Sequence, residues 1–484
     1  MEKNFLNRVV WLVIATVIVL LSMYWLPELN IGGWTMRKVD LLADLRNDSV
    51  AMTLNQLQSD TIDEATRKRI SAMQGIPVLE GSRLTHDAHG NTITLEDSII
   101  NAMMQLGPHS DSITPIVDMS GDEHGGMDAF YRALAHCKSR QVRIAVLGDS
   151  FIEGDILTSM LRELLQQRFG GGGCGFMPMA TIASQVQLTV KHTFGGWIQH
   201  RAVDRNNYSS DYNNITGNYF NATTGAWVSL KTTSNHYQHT ASCTKSSLYY
   251  LGGGSGVPAT VTAYVNDERY KQFTLASSAP VGRVDVTGNI NQVKWVVDNP
   301  ASTIFLGTSM DCGHGVTVDN LAMRSSRGNH LATISPEMLA GLDKARHYDL
   351  IIIMYGLNIA TDGRNNFNSY CKNTETAIAL IKQHMPTTSI VLASCSDRAE
   401  RNASGGFKTK KIVKELIQAQ KRVAINSRIA FWNLYDAMGG EGSIVEMVNN
   451  HEASRDYTHL SVKGGDCIGR LLYKAIMLGY DNHN

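Results

Sequence analysis

Five consecutive apolar residues at positions 350–354, Leu-Ile-Ile-Ile-Met, constrain the fold of this chain more than any other feature of its sequence. A strand without a polar position is typical of a parallel sheet that helices cover on both faces. Further short, mostly apolar runs at 142–147, 389–393 and 429–434 predict neighbouring strands. Helical patterns lie beside these runs, at 127–137, 155–169, 374–384, 409–425 and 462–478. This alternation predicts an α/β domain with a doubly wound parallel sheet.

Residues 190–320 have a different pattern, in which apolar and polar residues alternate between Gly-, Asn- and Ser-rich turns. The alternating stretches are 227–232, 247–251, 260–265, 281–286, 292–297 and 303–308. Several short strands at regular spacing are typical of an antiparallel β-sandwich or jelly roll. We therefore predict that such a domain is inserted into the α/β domain.

Residues 9–26 contain no charged side chain, and this length is just enough for a helix to cross a membrane. Lys3 and Arg8 precede the run and Glu28 follows it, which predicts a cytoplasmic N-terminus. A cleaved signal peptide is the alternative, but residues 25–28 are not a small-residue cleavage site. We expect a single-pass membrane anchor, with the rest of the chain periplasmic or otherwise extracytoplasmic.

The predicted organisation has four parts. Residues 1–26 form a cytoplasmic stub and the anchor, and 27–114 form a polar spacer with short helical patterns at 39–45 and 96–106. Residues 115–190 and 320–484 form the α/β domain, and 191–319 form the β insertion, for which carbohydrate binding is one interpretation.

Charge and cysteine content exclude some classes of function. The 484 residues have a formal net charge of zero and no basic run, so no nucleic-acid partner is expected. The seven cysteines are scattered and include no Cys-x-x-Cys pair, which argues against a disulfide framework or structural zinc. His236 with His239, and Cys312 with His314, offer two ligands each, too few for a metal site.

Three short motifs carry residues suited to acyl-transfer chemistry. Ser150 follows a predicted strand in Gly148-Asp149-Ser150 and precedes a helix, where its hydroxyl and N–H can face a ligand. Asp456 and His459 have the spacing that lets a carboxylate orient an imidazole toward a serine. Asn358 follows the buried run at 350–354, where its amide can donate to an oxyanion. Taken singly, each motif also has a structural interpretation as a helix cap or a turn.

In this order, from Val142 to the end and interrupted by the β insertion, the motifs resemble those of the SGNH/GDSL hydrolases. The resemblance implies a three-layer, flavodoxin-like domain in which Ser150 is the nucleophile. It implies that His459 is the general base and then the general acid, oriented by Asp456. The oxyanion hole would comprise Ser150, Asn358 and a glycine, which we assign to Gly328, with Gly175 as the alternative.

The segments 148–155, 170–178 and 431–440 look like those of peptidoglycan O-acetylesterases, which carry a β-sandwich module between the serine and glycine motifs. Phe151 departs from that pattern, where a polar residue is expected after the serine. Trp227, Trp295, Tyr249 and Tyr250 are candidates for stacking on sugar rings, although aromatic residues in a sandwich more often belong to its core.

The resemblance implies a serine esterase that removes O-acetyl groups from peptidoglycan or another extracytoplasmic polysaccharide, without metal or cofactor. An O-acetyltransferase and a lipase- or thioesterase-like acylhydrolase would use the same residues, and a non-catalytic glycan-binding protein is a further alternative. The expected partners are an O-acetylated glycan, the membrane and a membrane-bound O-acyltransferase.

Overall fold

The computed structural model describes residues 113–121, 126–234, 237–254, 256–278, 280–361, 366–402 and 405–483. It also gives two short antiparallel strand pairs, Asn30–Ile31 with Trp34–Thr35 and Leu84–His86 with Thr92–Thr94. The predicted anchor at 9–26 and the helical patterns at 39–45 and 96–106 lie outside the described residues. In the part of the chain that the structure describes, no helix is long and apolar enough to span a membrane.

From residue 113 onward, the strands in chain order are β1 Ile116–Asp118, β2 Gln141–Gly148, β3 Gly175–Met177, β4 Val190–Arg201, β5 Asn218–Thr232, β6 Lys245–Leu251, β7 Ala259–Val265, β8 Glu268–Leu275, β9 Gly282–Thr287, β10 Gln292–Asn299, β11 Ile304–Asp311, β12 Gly315–Ala322, β13 Leu350–Met354, β14 Ser389–Ala393, β15 Ala399–Arg401, β16 Phe407–Thr409 and β17 Ala430–Trp432. The α-helices are α1 Asp128–Ala135, α2 Thr158–Phe169, α3 Pro336–Ala345, α4 Asn368–His384, α5 Lys411–Ser427, α6 Leu434–Ala437, α7 Ser443–Asn449 and α8 Val462–His483.

Six strands form a mostly parallel sheet in the order β12-β2-β13-β14-β17-β1, in which β1 alone runs antiparallel. Counted along the chain, the five parallel strands have the order 2-1-3-4-5, which is the flavodoxin-like doubly wound order. In such a sheet the connections reverse direction between the first and third strands, here β2 and β13. The crevice beyond their carboxyl ends is where α/β domains bind ligands.

Both faces of this sheet are covered, as the apolar run at 350–354 predicts. Every residue of β13 is buried. Ile351 and Ile353 share a core with residues of α3, α4 and α5, and Ile352, which points to the opposite face, is also fully buried. Helices α2 and α8 pack against each other, and α1 contacts α8 and β14. The parallel sheet is therefore the middle of three layers.

Nine of the remaining eleven strands, β3 to β11, form a connected antiparallel sheet that takes up residues 175–311, compared with the predicted range 191–319. The other two, β15 and β16, form a separate hairpin. One end of β5 pairs with β11 through Phe220 and Phe305, and its other end pairs with β10. Both parts of the sheet contribute to one core, in which the Trp295 indole on β10 donates to the Ser246 hydroxyl on β6 at 3.4 Å. The sheet thus folds over its own core, as in a sandwich.

A buried ion-pair cluster joins the antiparallel sheet to the α/β domain. Arg346, which follows α3, donates to Asp319 on β12 at 2.6 and 2.8 Å and to Asp311 on β11 at 2.9 and 3.1 Å. It also donates to the Tyr249 hydroxyl at 2.8 Å. The side chains of Arg346, Asp311 and Asp319 are 2%, 1% and 0% exposed. Because the Arg346 guanidinium binds one buried carboxylate from each sheet, the cluster holds the two sheets in one relative orientation.

Candidate active site

Ser150 lies at the carboxyl end of β2, as predicted, and its side chain is half-buried. The preceding Asp149 caps a 3₁₀ turn at Ser150–Asp155 by accepting the Phe151 N–H at 3.0 Å. Glu153 and Gly154 in this turn have non-helical backbone angles, so the helix predicted from residue 155 begins a few residues later. Helix α2 begins at Thr158, so the Ser150 N–H belongs to a short turn rather than to the N-terminus of that helix.

The structure brings Ser150, His459 and Asp456 together as one hydrogen-bonded chain. The Ser150 Oγ lies 2.9 Å from His459 Nε2, and His459 Nδ1 lies 2.6 Å from Asp456 Oδ2. With the proton on Nδ1, Nε2 can accept the serine proton, which is the arrangement of a hydrolytic triad. The side chains of His459 and Asp456 are 42% and 49% exposed, so the triad lies at the surface.

Asp456 is held as an ionised acceptor. Its Oδ1 accepts the N–H groups of Thr458 at 2.9 Å and His459 at 3.0 Å, together with the Ser454 hydroxyl. Partial burial alone would raise the pKa of Asp456, but the hydrogen bonds from His459 and Ser454 outweigh it and hold that pKa well below its usual range. The carboxylate therefore stays negative at neutral pH and can stabilise a protonated His459.

Asn358 follows β13, and its side-chain amide donates to the Ser326 carbonyl at 3.0 Å. This contact leaves a second amide hydrogen on the same nitrogen for another acceptor. Since Met354 pairs with Gly148, Asn358 and Ser150 follow adjacent ends of neighbouring parallel strands. The structure thus places Asn358 in the crevice at the topological switch point, and its oxyanion role stays a prediction.

Gly328 lies near Asn358, in the loop after β12. Its φ of 76° is in the left-handed region, and an added Cβ would lie 2.8 Å from the Tyr355 ring. Its N–H donates to the Ser326 hydroxyl at 3.0 Å, so that hydroxyl would have to release it for an oxyanion. The alternative, Gly175, lies in β3 and pairs with Met310 of the antiparallel sheet. The assignment of the oxyanion glycine stays a prediction.

Sequence reasoning missed the role of Asp149, which is fully buried beside the nucleophile. Its Oδ2 accepts the N–H groups of Gly356 at 3.2 Å and Leu357 at 3.0 Å. Burial raises the pKa of Asp149, and these backbone hydrogen bonds oppose the rise. A single carboxyl group therefore ties the serine turn to the turn that carries Asn358.

Gln420 is a second buried support that sequence reasoning missed. Its side chain accepts the Cys395 N–H at 2.7 Å and donates to the Tyr355 carbonyl at 3.0 Å, which joins the segments after β14 and β13. A signal was present in the sequence, because Gln420 interrupts the apolar face that Leu416, Ile417 and Val423 form on α5.

The remaining sequence candidates lie away from the triad chemistry. Phe151 is 3% exposed and lines a small, partly open pocket with Met354 and Leu434, so it packs inward. Trp295, Tyr249 and Tyr250 are buried in the cores, and Trp227 is half-buried under Lys294.

The histidine and cysteine candidates for metal binding are dispersed. His239 Nδ1 lies 2.8 Å from Glu163, Cys312 is buried, and His236 lies outside the described residues. No group of three or more His, Cys, Asp or Glu side chains suited to a metal ion occurs in the described ranges. All seven cysteines are free thiols in the structure.

No protein-family model matches the sequence. No curated protein matches it either. Among solved structures, the chain is similar to a peptidoglycan O-acetylesterase, with a TM-score of 0.63, 20% identity, and coverage of 76% of this chain and 99% of the other.

Two other solved structures have TM-scores below 0.5, which are too low to support a conclusion about this chain. A salicylyl-acyltransferase from a tetracycline biosynthetic pathway has a TM-score of 0.28 and 15% identity over 60% of this chain and 95% of its own. A family two carbohydrate esterase from Clostridium thermocellum, in complex with cellohexaose, has a TM-score of 0.25 and 10% identity over 59% of this chain and 100% of its own. The parallel sheet, the separate antiparallel sheet and the likeness to the O-acetylesterase together confirm the resemblance at the level of the fold: the chain has the fold of the SGNH/GDSL hydrolases.

Proposed function

We propose that this chain is a serine esterase that removes O-acetyl groups from an extracytoplasmic polysaccharide, with peptidoglycan as the first candidate. The observation that carries the proposal is the continuous chain from Ser150 Oγ through His459 to Asp456, with distances of 2.9 and 2.6 Å. The likeness in fold to a peptidoglycan O-acetylesterase supports the choice of substrate class.

The proposed reaction has two steps. The Ser150 oxygen attacks the acetyl carbonyl while His459 Nε2 takes the serine proton, and the tetrahedral oxyanion accepts hydrogen bonds from the Ser150 N–H and the Asn358 amide. His459 then gives the proton to the departing sugar oxygen, which leaves an acetyl group on Ser150. A water molecule, deprotonated by His459, attacks this ester, and His459 returns the proton to the Ser150 oxygen as acetate leaves.

The exposure of the triad supports a polymeric substrate. His459 and Asp456 are 42% and 49% exposed, so an acetyl group on a polysaccharide can reach Ser150 while the sugar chain stays on the surface. A long acyl chain would need an extended apolar channel to be removed from water. The pocket beside Asp149 and Phe151 is too small to hold such a chain.

We further propose that the enzyme acts outside the cytoplasm while it is anchored in the membrane. The uncharged run at 9–26, after Lys3 and Arg8, supports this arrangement. Detection of the full chain in the membrane fraction, with protease-accessible C-terminal residues on the outer side, would test it. Accessibility from the cytoplasmic side alone would refute it.

The direct test measures acetate release from O-acetylated peptidoglycan and from another acetylated glycan. The Ser150→Ala variant should lose on the order of 10⁶-fold in kcat, because neither an alkoxide nor an acetyl-enzyme can form. Ser302→Ala, which removes a hydroxyl from an exposed turn of the β insertion, is the matched control and should retain wild-type rates. Wild-type acetate release by Ser150→Ala would refute the nucleophile assignment.

The same assay separates the alternatives. Acetate found on an added oligosaccharide instead of in solution would indicate an O-acetyltransferase, and preference for long-chain esters would indicate a lipase-like hydrolase. Failure of a fluorophosphonate probe to label Ser150 in folded protein would favour a non-catalytic glycan-binding protein.

A further inference from the structure

Arg398 contacts the turn that carries Asn358, although it has no role in the chemistry described above. It lies between β14 and β15, and its Nη1 donates to the Leu357 carbonyl at 2.7 Å and to the Ala360 carbonyl at 2.9 Å. These acceptors lie one residue before and two residues after Asn358. Two hydrogen bonds from one nitrogen therefore bracket the asparagine.

This arrangement is costly for a structural arginine. Both hydrogen bonds end on carbonyl oxygens rather than on a carboxylate, and the buried Nε has no hydrogen-bond partner among the described residues. An unsatisfied buried donor on a charged group destabilises the folded protein. A buried polar group left in this way calls for an explanation, and the position of Asn358 provides one.

The turn is held from the opposite side by Asp149, which accepts the N–H groups of Gly356 and Leu357. The Leu357 residue thus donates to a buried carboxyl group and accepts from a guanidinium group. With the N–H side fixed from the serine turn and the carbonyl side fixed by Arg398, the backbone of Asn358 has little freedom to rotate. Its side-chain amide can then be held for an oxyanion before the substrate arrives.

The segment that carries Arg398 also contacts the other half of the site. The Ala399 N–H donates to the carbonyl of Tyr457 at 3.3 Å, within the loop between Asp456 and His459. The Tyr457 ring stacks on Phe407 of β16, with centroids 3.7 Å apart and an interplanar angle of 20°. Adjacent residues therefore contact the asparagine turn and the acid–base loop.

We propose that Arg398 is a positioning residue of the esterase, which holds Asn358 in the orientation that binds the oxyanion. This inference rests on the proposed function. It predicts that Arg398 contributes to kcat through Asn358 and contributes little to substrate binding, because the guanidinium group contacts protein carbonyls.

The experiment is a double-mutant cycle on acetate release, with 4-nitrophenyl acetate as a second substrate. Arg398→Ala should lower kcat on the order of 10²-fold with KM within about twofold, as expected for a displaced catalytic donor. In the Asn358→Ala background the same change should cost less than about threefold, because the group that Arg398 positions is already absent. Arg422→Ala, on the exposed face of α5, is the matched control and should leave both parameters unchanged.

Losses that multiply in the double variant, or a loss confined to KM, would overturn the inference. If Arg398→Ala does not fold, Arg398→Lys carries the test, since lysine keeps the charge but cannot match the fixed geometry of the guanidinium group. It should show an intermediate loss that is likewise absent in the Asn358→Ala background. A wild-type protein inactive on both substrates would refute the proposed function itself. An active wild-type protein whose two losses multiply in the double variant would refute this inference alone.

Discussion

Replacement of Asp456 by Asn is the most informative single change, because the surrounding donors dictate how the new side chain must lie. In the wild-type protein Oδ1 accepts three hydrogen bonds, from the Thr458 N–H, the His459 N–H and the Ser454 hydroxyl. The amide oxygen of Asn must take this position, because an NH₂ group there would be a donor facing the two backbone donors and could not accept their hydrogen bonds. The NH₂ group then faces His459 Nδ1, where the carboxylate Oδ2 had accepted.

This reversal changes the tautomer of His459. An NH₂ donor requires an unprotonated Nδ1, so the proton moves to Nε2 and points at Ser150 Oγ. The imidazole can then no longer take the serine proton, and the negative charge opposite the developing imidazolium is also lost. In serine proteases the equivalent change costs about 10⁴-fold in kcat, and we expect a loss of that order here.

The assay is the steady-state rate of acetate release at pH 7, with KM and the unfolding midpoint measured in parallel. KM should change little, and the unfolding midpoint should fall only modestly, because Asn keeps the backbone hydrogen bonds but loses the charge that these groups stabilise. Asp267→Asn, in an exposed turn of the β insertion, is the control. A loss of less than about tenfold, with the fold intact, would refute the tautomer argument.

Three further predictions concern the oxyanion site and the stability of the fold. Asn358→Ala should lower kcat by about 10²–10³-fold, and a purely KM effect would contradict its role. Arg346→Met should lower the free energy of unfolding by about 3–5 kcal/mol in urea denaturation, because Asp311 and Asp319 lose their buried cation; a change below about 1 kcal/mol would contradict this. Burial would raise the pKa of Asp311, but Arg346 holds it below its usual range, so this stabilisation should be present at neutral pH and decline as the pH falls below about 4. Burial lowers the pKa of His192 to about 4, so the free energy of unfolding should fall by about 3 kcal/mol as the pH falls from about 6.5 to 4. His192→Leu should abolish this pH dependence, and an unchanged pH dependence would exclude His192 as its source.

The order of the elements could be predicted from local patterns. The strand at 389–393 has the predicted bounds, and helices α1, α5 and α8 lie within a few residues of their predicted bounds except at the C-terminal end of α8. Buried strands and amphipathic helices have recognisable patterns of apolar residues, because the faces that each element buries must be apolar.

Strands with weak periodicity escaped prediction. β8 is exposed along almost its whole length and, among the described strands, pairs with β7 alone, so as an edge strand it buries little apolar surface. β4 contains Gly195 and Gly196, where its register against β5 shifts, and this bulge breaks the alternation. The β15–β16 hairpin consists of two three-residue strands, too short for any period to emerge.

The sequence by itself determined which residues could do the chemistry, since Ser150, Asp456 and His459 lie in local motifs whose residue types suit proton transfer. The alternation of apolar runs and helical patterns along the chain also predicted a doubly wound sheet. What only the tertiary structure decided is how these groups are held. Asp149, Gln420 and Arg398 form hydrogen bonds with backbone groups far away in the chain. The partner of such a buried polar side chain cannot be identified from the spacing of residues in the sequence. Long-range hydrogen bonds of this kind depend on the packing of strands, so they become visible only when the strands are in place.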